Sequence, residues 1–139
     1  MYASVGARPT PEWAVESTEL VRDRLGDDLF GYVIDAPEGG LACCGLVNVA
    51  PRLPRPGASS HKMAYVQWVS TAPQHQRKGY AHLVMAALMK ELERLDIEVV
   101  ELHASPQGRA LYEELGFFVK TDNIAMSHVR GAYAPQLPE

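Results

Sequence analysis

The sequence predicts an α/β fold on a mixed central sheet, and three observations carry that reading. The elements run helix, strand, strand, strand, helix, strand, helix, strand, strand. Segments 62–71 and 97–104 flank one long apolar-periodic helix, which makes them parallel neighbours joined by a right-handed crossover. On either side, runs joined by short turns read as antiparallel hairpins, so the parallel pair has antiparallel flanks.

Each element has its own signals. In "TPEWAVESTELVRDRLGDD", Thr10 is an N-cap with Pro11 at the first helical position, and Trp13, Leu20, Val21 and Leu25 repeat at helical spacing. "LFGYVID" and "LACCGLVNVA", separated by "APEGG", form the first hairpin. After the Pro-rich loop 51–60, "KMAYVQWVS" is a third strand, aromatic and β-branched, ending before Pro73. The next helix steps its apolar residues by three or four: Ala81, Val84, Leu88, Leu92, Leu95. "IEVVELHA" is a strand. A short helix follows, with Ser105 as N-cap, Pro106 first and Gly116 as the stop. "FFVKT" and "IAMSHV", joined across Asp122-Asn123, are expected to close as a second hairpin.

Composition bounds the function. At 139 residues with a net charge of −4, the chain is expected to be one domain, 1–139, without the global basic footprint of a nucleic-acid binder. Its two cysteines, Cys43 and Cys44, are adjacent in a strand and point to opposite faces, which disfavours a mutual disulfide and favours a reducing compartment. No stretch has the apolar length of a membrane span and the polar start is not a secretion signal, so a cytoplasmic location and no membrane partner are expected. The five histidines show no metal spacing, and no metal is expected.

One stretch stands out in this acidic chain: "QRKGYA", residues 76–81, at the mouth of the long helix. The ordinary reading is a surface turn whose Arg77 and Lys78 face water. Against it, Gly79 lets successive N–H groups converge into an anion nest. The nest follows a parallel-type strand and opens a helix, where phosphates are commonly held. It lacks the Walker spacing, so a nucleoside triphosphate is not the obvious ligand.

"STAPQHQRKGYAHLVMAAL" resembles the Q/R-x-x-G-x-G/A signature of the GNAT superfamily of N-acetyltransferases, and "ASPQGRALYEELGF" resembles the strand-helix segment that follows it there. The two motifs cover about residues 62–118, in the family's order and separation. The resemblance implies a mostly antiparallel sheet with one parallel pair and helices on both faces, relative to which the N-terminal part of this chain is shortened. It further implies that the anion is the pyrophosphate of acetyl-CoA, held by Gln76, Arg77, Lys78, Gly79, Tyr80 and Ala81. The pantetheine arm would lie along Trp68, Val69, Ser70 and Thr71 like an added strand, with the Val69 N–H facing the thioester oxygen. Tyr112 fits the tyrosine that protonates the departing thiolate; a packing tyrosine is the plain alternative.

The chain departs from the pattern in three places. Ser105 stands where many relatives place an Asn that contacts the pantetheine region. "KMAYVQWVS" holds no carboxylate to serve as general base; Glu101 and His103, on one face of the next strand, or a water chain are the alternatives. Only about one helix precedes Leu29, so either a second copy, making a homodimer, completes the acceptor site or the cleft is wide and shallow. The expected function is acetyl transfer from acetyl-CoA to a primary amine of a small molecule, peptide or protein. The rival is a non-catalytic acyl-CoA sensor or assembly module of the same fold. A nucleic-acid binder using Arg52, Arg55, Arg77 and Lys78 is disfavoured by the charge and the missing aromatic platform.

Overall fold

The structure is a computed structural model that describes residues 9–122, 124–126 and 128. Helix α1 (Pro11–Arg24) starts where Thr10, in extended conformation, accepts a hydrogen bond from the Trp13 N–H at 3.2 Å. Its other end is held by Arg24, which bridges Asp28 at 2.8 Å and also donates to Asn48. The helix buries no residue fully, and its half-buried face is Trp13, Ser17 and Val21, spaced by four. Leu20 and Leu25, expected in that stripe, are exposed. Leu20 sits about 100° round the helix from Val21, and Leu25 has left the helix with extended backbone.

Strands β1 (Leu29–Asp35), β2 (Leu41–Pro51), β3 (Lys62–Thr71) and β4 (Val100–Leu102) form one sheet in that spatial order. The first two pairs are antiparallel and β3–β4 is parallel, with α2 (Tyr80–Arg94) as the crossover. The expected mixed sheet is therefore present. Val84, Met85, Leu88 and Leu92 of α2 pack on Cys43 and Val47 of β2 and Ala64 and Val66 of β3, and this is the core. Gly45 lies beneath the helix: a Cβ there would stand 2.6 Å from Val84 Cγ1, so only glycine lets α2 sit this close to β2. Both thiols are free, and Cys43 Sγ accepts from Thr71 Oγ1 at 3.3 Å.

The two faces can be told apart along β3. Ala64 and Val66 pack into the core, as do Val69 and, opposite Cys43, Thr71. That change of parity comes from a β-bulge: Leu46 faces Trp68 while Val47 faces Val66, so Gln67 is the extra residue. Trp68 thereby turns to the other face, where its ring lies 6.2 Å from that of Trp13 of α1. Helices α1 and α2 thus cover opposite faces.

Three sequence expectations shift. The strand expected at 97–104 is only Val100–Leu102, because Ile97 is still bonded to Leu92 O, closing α2, and residues after Leu102 leave the sheet. The short helix α3 is Arg109–Glu114 with Gly108 at its N-cap; Ser105 instead opens a preceding turn, its Oγ accepting from the Gly108 N–H at 3.2 Å. Gly116 ends this helix as expected, with φ +89°. Residues 117–122 and the described residues of the second expected hairpin strand, 124–126 and 128, form no strand; Asn123, Ser127 and Val129 lie outside the described residues. Phe118, Val119, Ile124 and Met126 are all strongly exposed, and a hairpin that buries no face has little to hold it.

Candidate active site

The site begins as a fork in the sheet. The β3–β4 ladder runs only from Ala64↔Val100 to Val66↔Leu102, whereas β3 continues to Thr71, paired with β2 alone. The Gln67 bulge falls where the ladder ends, and a bulge bends its strand. Trp68, Val69, Ser70 and Thr71 therefore border a gap on the β4 side, with main-chain groups along one edge and no strand beside them among the described residues. This gap has the form a peptide-like chain fills when it adds to a sheet edge.

Beyond the gap comes the mouth of α2. A 3-10 turn, Pro73–His75, leads into Gln76, whose Nε2 donates to Thr71 O at 3.4 Å. Arg77 and Gly79 both adopt left-handed backbone, φ +62° and +77°. Such a residue pattern turns consecutive N–H groups toward one point. Gly79 is the N-cap and has no side chain to offer, so no side chain caps the helix. The first bond back to it is from Leu83 N at 3.1 Å, and the N–H groups of Tyr80, Ala81 and His82 have no acceptor within the helix. A Cβ at Gly79 would meet nothing within 4 Å, so the mouth is open. Gln76, Arg77 and Lys78 are exposed, while Tyr80 and Ala81 pack against the core and fix the helix end.

The turn before this cradle is anchored by a residue the sequence reading did not single out. His75 is buried, its Nε2 shares a hydrogen bond with Glu38 Oε1 at 2.6 Å, and its ring lies beside Tyr80. Its Nδ1 has no partner. Glu38 sits in the β1–β2 turn; its own backbone and then the His75 bond hold its carboxyl below the usual carboxylate range. No local sequence pattern links positions 37 residues apart.

Tyr112 lies on the α2 face. Its ring packs on the core beside Leu115 and meets Phe117 edge-on at 5.9 Å. Gly108 makes room for the ring, since a Cβ there would stand 3.2 Å from Tyr112 Cε2. Burial raises the phenol above its ordinary pKa, and among the described residues the hydroxyl bonds to nothing. The phenol therefore stays protonated at neutral pH and has a proton to give.

The other face of the fork carries a polar group. Tyr65 stands opposite Glu101 in the parallel ladder, and its hydroxyl shares a hydrogen bond with His103 Nδ1. Glu101 in turn accepts from Lys120 Nζ. Alternation along the strand had put Glu101 and His103 on one face; the structure adds Tyr65 and gives each acidic or basic member a partner.

The site joins an uncapped helix mouth, an open strand edge leading from it and a protonated phenol on the flank. Comparison with known proteins gives the family. The model of the acetyltransferase (GNAT) family matches residues 1–117. The chain belongs to this family. Membership implies acetyl transfer from acetyl-CoA. A predicted acetyltransferase from Clostridium acetobutylicum, solved with acetyl-CoA, has the same fold at TM-score 0.76 and 18% identity, covering 91% of this chain and 82% of that one. A GCN5-related N-acetyltransferase from Ralstonia eutropha JMP134 aligns at TM-score 0.71 and 21% identity, over 91% and 85%. Glucosamine-6-phosphate N-acetyltransferase from Arabidopsis thaliana aligns at TM-score 0.70 and 24% identity, over 88% and 80%. At these identities the likeness carries the GNAT fold alone. No curated protein sequence matches the chain. Among the described residues, no helix is long and apolar enough to cross a membrane, and no group of three or more His, Cys, Asp or Glu could hold a metal ion.

Proposed function

We propose that the protein is an N-acetyltransferase that moves the acetyl group of acetyl-CoA to a primary amine. The observation that carries the reading is the uncapped mouth of α2 standing at the end of the fork between β3 and β4. In this reading the N–H groups of residues 76–81 bind the pyrophosphate, and the helix dipole adds to their pull. The pantetheine arm lies along Trp68, Val69, Ser70 and Thr71, and the Val69 N–H stabilises the oxyanion. The Ser105 hydroxyl, which accepts from Gly108 N–H, keeps its own proton for donation to the arm. The amine attacks the thioester carbon, the C–N bond forms and the C–S bond breaks. Tyr112 then protonates the sulfur, its raised pKa keeping that proton available, and the proton shed by the new amide nitrogen restores the phenol through solvent.

The test is calorimetric titration with acetyl-CoA, followed by thiol release from a panel of amines, with wild type beside Tyr112→Phe. Acetyl-CoA binds both proteins equally. Turnover of the variant falls about 100-fold, within the range of a lost general acid, and the alkaline fall in kcat that wild type shows above the usual tyrosine range disappears. Binding without thiol release would make the domain a sensor. Absence of acetyl-CoA binding would overturn the reading altogether.

A further inference from the structure

Transfer from a protonated amine needs a group that takes up a proton before attack, and β3 carries no carboxylate from Lys62 to Thr71. We propose that Tyr65 and His103 together form the proton-accepting pair on the acceptor side of the fork, an inference that rests on the acetyltransferase reading.

Position argues for it first. Tyr65 immediately precedes Val66, and His103 immediately follows Leu102, the last pair of the parallel ladder. The two side chains therefore meet across the point where the strands part, with ring centroids 5.7 Å apart and a hydrogen bond from one to the other. The face argues for it next. Ala64, Val66, Val100 and Leu102 pack toward α2, so Tyr65 and His103 project from the opposite face, whereas Tyr112 packs on the α2 side. An amine entering from the α1 side and a thiolate leaving toward α3 would then meet base and acid on opposite sides of the thioester.

Charge selects His103 over its neighbour. Glu101 faces Tyr65 from β4, but its carboxylate already accepts from the Lys120 ammonium. The Glu101 charge bears on the Tyr65 phenol, while the Lys120 ammonium holds its carboxylate. Burial, and then the Glu101 charge, raise the Tyr65 phenol above its ordinary pKa. Tyr65 thus passes a proton on instead of storing the charge. His103 is exposed and can return the proton to solvent between turnovers.

The proton count closes for either tautomer. With the Tyr65 hydroxyl donating to Nδ1, the phenol oxygen takes the ammonium proton while its own proton moves to the ring. With Nδ1–H donating to Tyr65, Nε2 takes it. Both routes end as neutral amine, neutral tyrosine and imidazolium, and the amine nitrogen then has its lone pair for attack.

The experiment compares wild type, His103→Asn, Tyr65→Phe and the double variant. Each is assayed with acetyl-CoA and whichever amine wild type turns over best among glucosamine 6-phosphate, spermidine, tyramine and an unblocked peptide. Asparagine keeps a donor near the Nδ1 position but cannot take up a proton, and the exposed site tolerates the change. Acetyl-CoA affinity stays within about twofold of wild type. At neutral pH, kcat/KM of His103→Asn falls about 100-fold and recovers as rising pH supplies free amine; Tyr65→Phe falls less, and the double variant no further than His103→Asn. A loss equal at every pH would mean a structural role and would overturn the pair. So would His103→Asn activity within threefold of wild type. If wild type releases thiol with none of these amines, the acetyltransferase reading falls first and takes the pair with it.

Discussion

The mouths of α1 and α2 start from different backbone geometry, extended at Thr10 and left-handed at Gly79, and end in opposite states. At α1, Thr10 turns its hydroxyl onto the Trp13 N–H and Pro11 has no N–H to satisfy, so the helix closes its own end. At α2, Gly79 has no side chain, Arg77 and Gly79 are held left-handed, and the first-turn N–H groups point outward without a cap. A chain that can cap a helix with threonine but leaves the mouth of its central one to glycine forgoes a few tenths of a kcal/mol of stability there. The first-turn N–H groups there stay open to an acceptor from outside the helix. The difference separates a helix closed by its own side chain from one that, in the proposed function, serves the coenzyme.

The contrast breaks most sharply if the open mouth is given a charge of its own. Gly79→Asp places a carboxylate where the pyrophosphate is proposed to sit. Acetyl-CoA affinity is expected to fall at least about 100-fold, equivalent to some 2.7 kcal/mol. Left-handed backbone at a non-glycine costs about 1–2 kcal/mol, so the folded state remains populated. Calorimetry and a thermal melt on the same sample separate the two effects. Unchanged affinity would remove the cradle from the site.

A smaller effect comes from the side chains that first drew notice. Arg77 and Lys78 are exposed, and exposed charges contribute only tenths of a kcal/mol to about 1 kcal/mol each. Arg77→Gln with Lys78→Gln should weaken acetyl-CoA by about 3- to 10-fold, with most of that loss gone in high salt. A drop as large as that of Gly79→Asp would mean that charge, not the backbone nest, holds the anion.

Much of this was legible in the sequence because it rests on local rules. The α2 stripe of Val84, Leu88 and Leu92, the glycine at the helix mouth and the Gly116 stop all follow from spacing within a few residues. Where the reading failed, a distant partner decided. The bulge at Gln67 exists only in register with Leu46 and Val47, and it alone sends Trp68 to the face of α1. Tyr112 packs inward, where the distant core and Phe117 take its ring. His75 and Glu38, or Tyr65 and His103, meet only once the sheet has formed. Alternation placed Glu101 and His103 on one face, but it could not say that Lys120 would occupy the first and Tyr65 the second.

The smallest expected effect tests the closed mouth. Thr10→Ala removes the hydroxyl that accepts from Trp13 N–H, at a cost of about 1 kcal/mol. The chain has two tryptophans, Trp13 and Trp68, and their rings lie 6.2 Å apart. Intrinsic fluorescence therefore reports the seating of α1 on the sheet without any added label. The variant should show a melting transition lower by about 3 °C, and a change in tryptophan emission at temperatures below it as the first turn frays. Acetyl-CoA affinity should not move, because α1 lies across the sheet from the mouth of α2. If affinity fell with the emission change, α1 would be holding Trp68 in place along the pantetheine edge, and the division between a structural helix and a ligand-binding one would no longer stand.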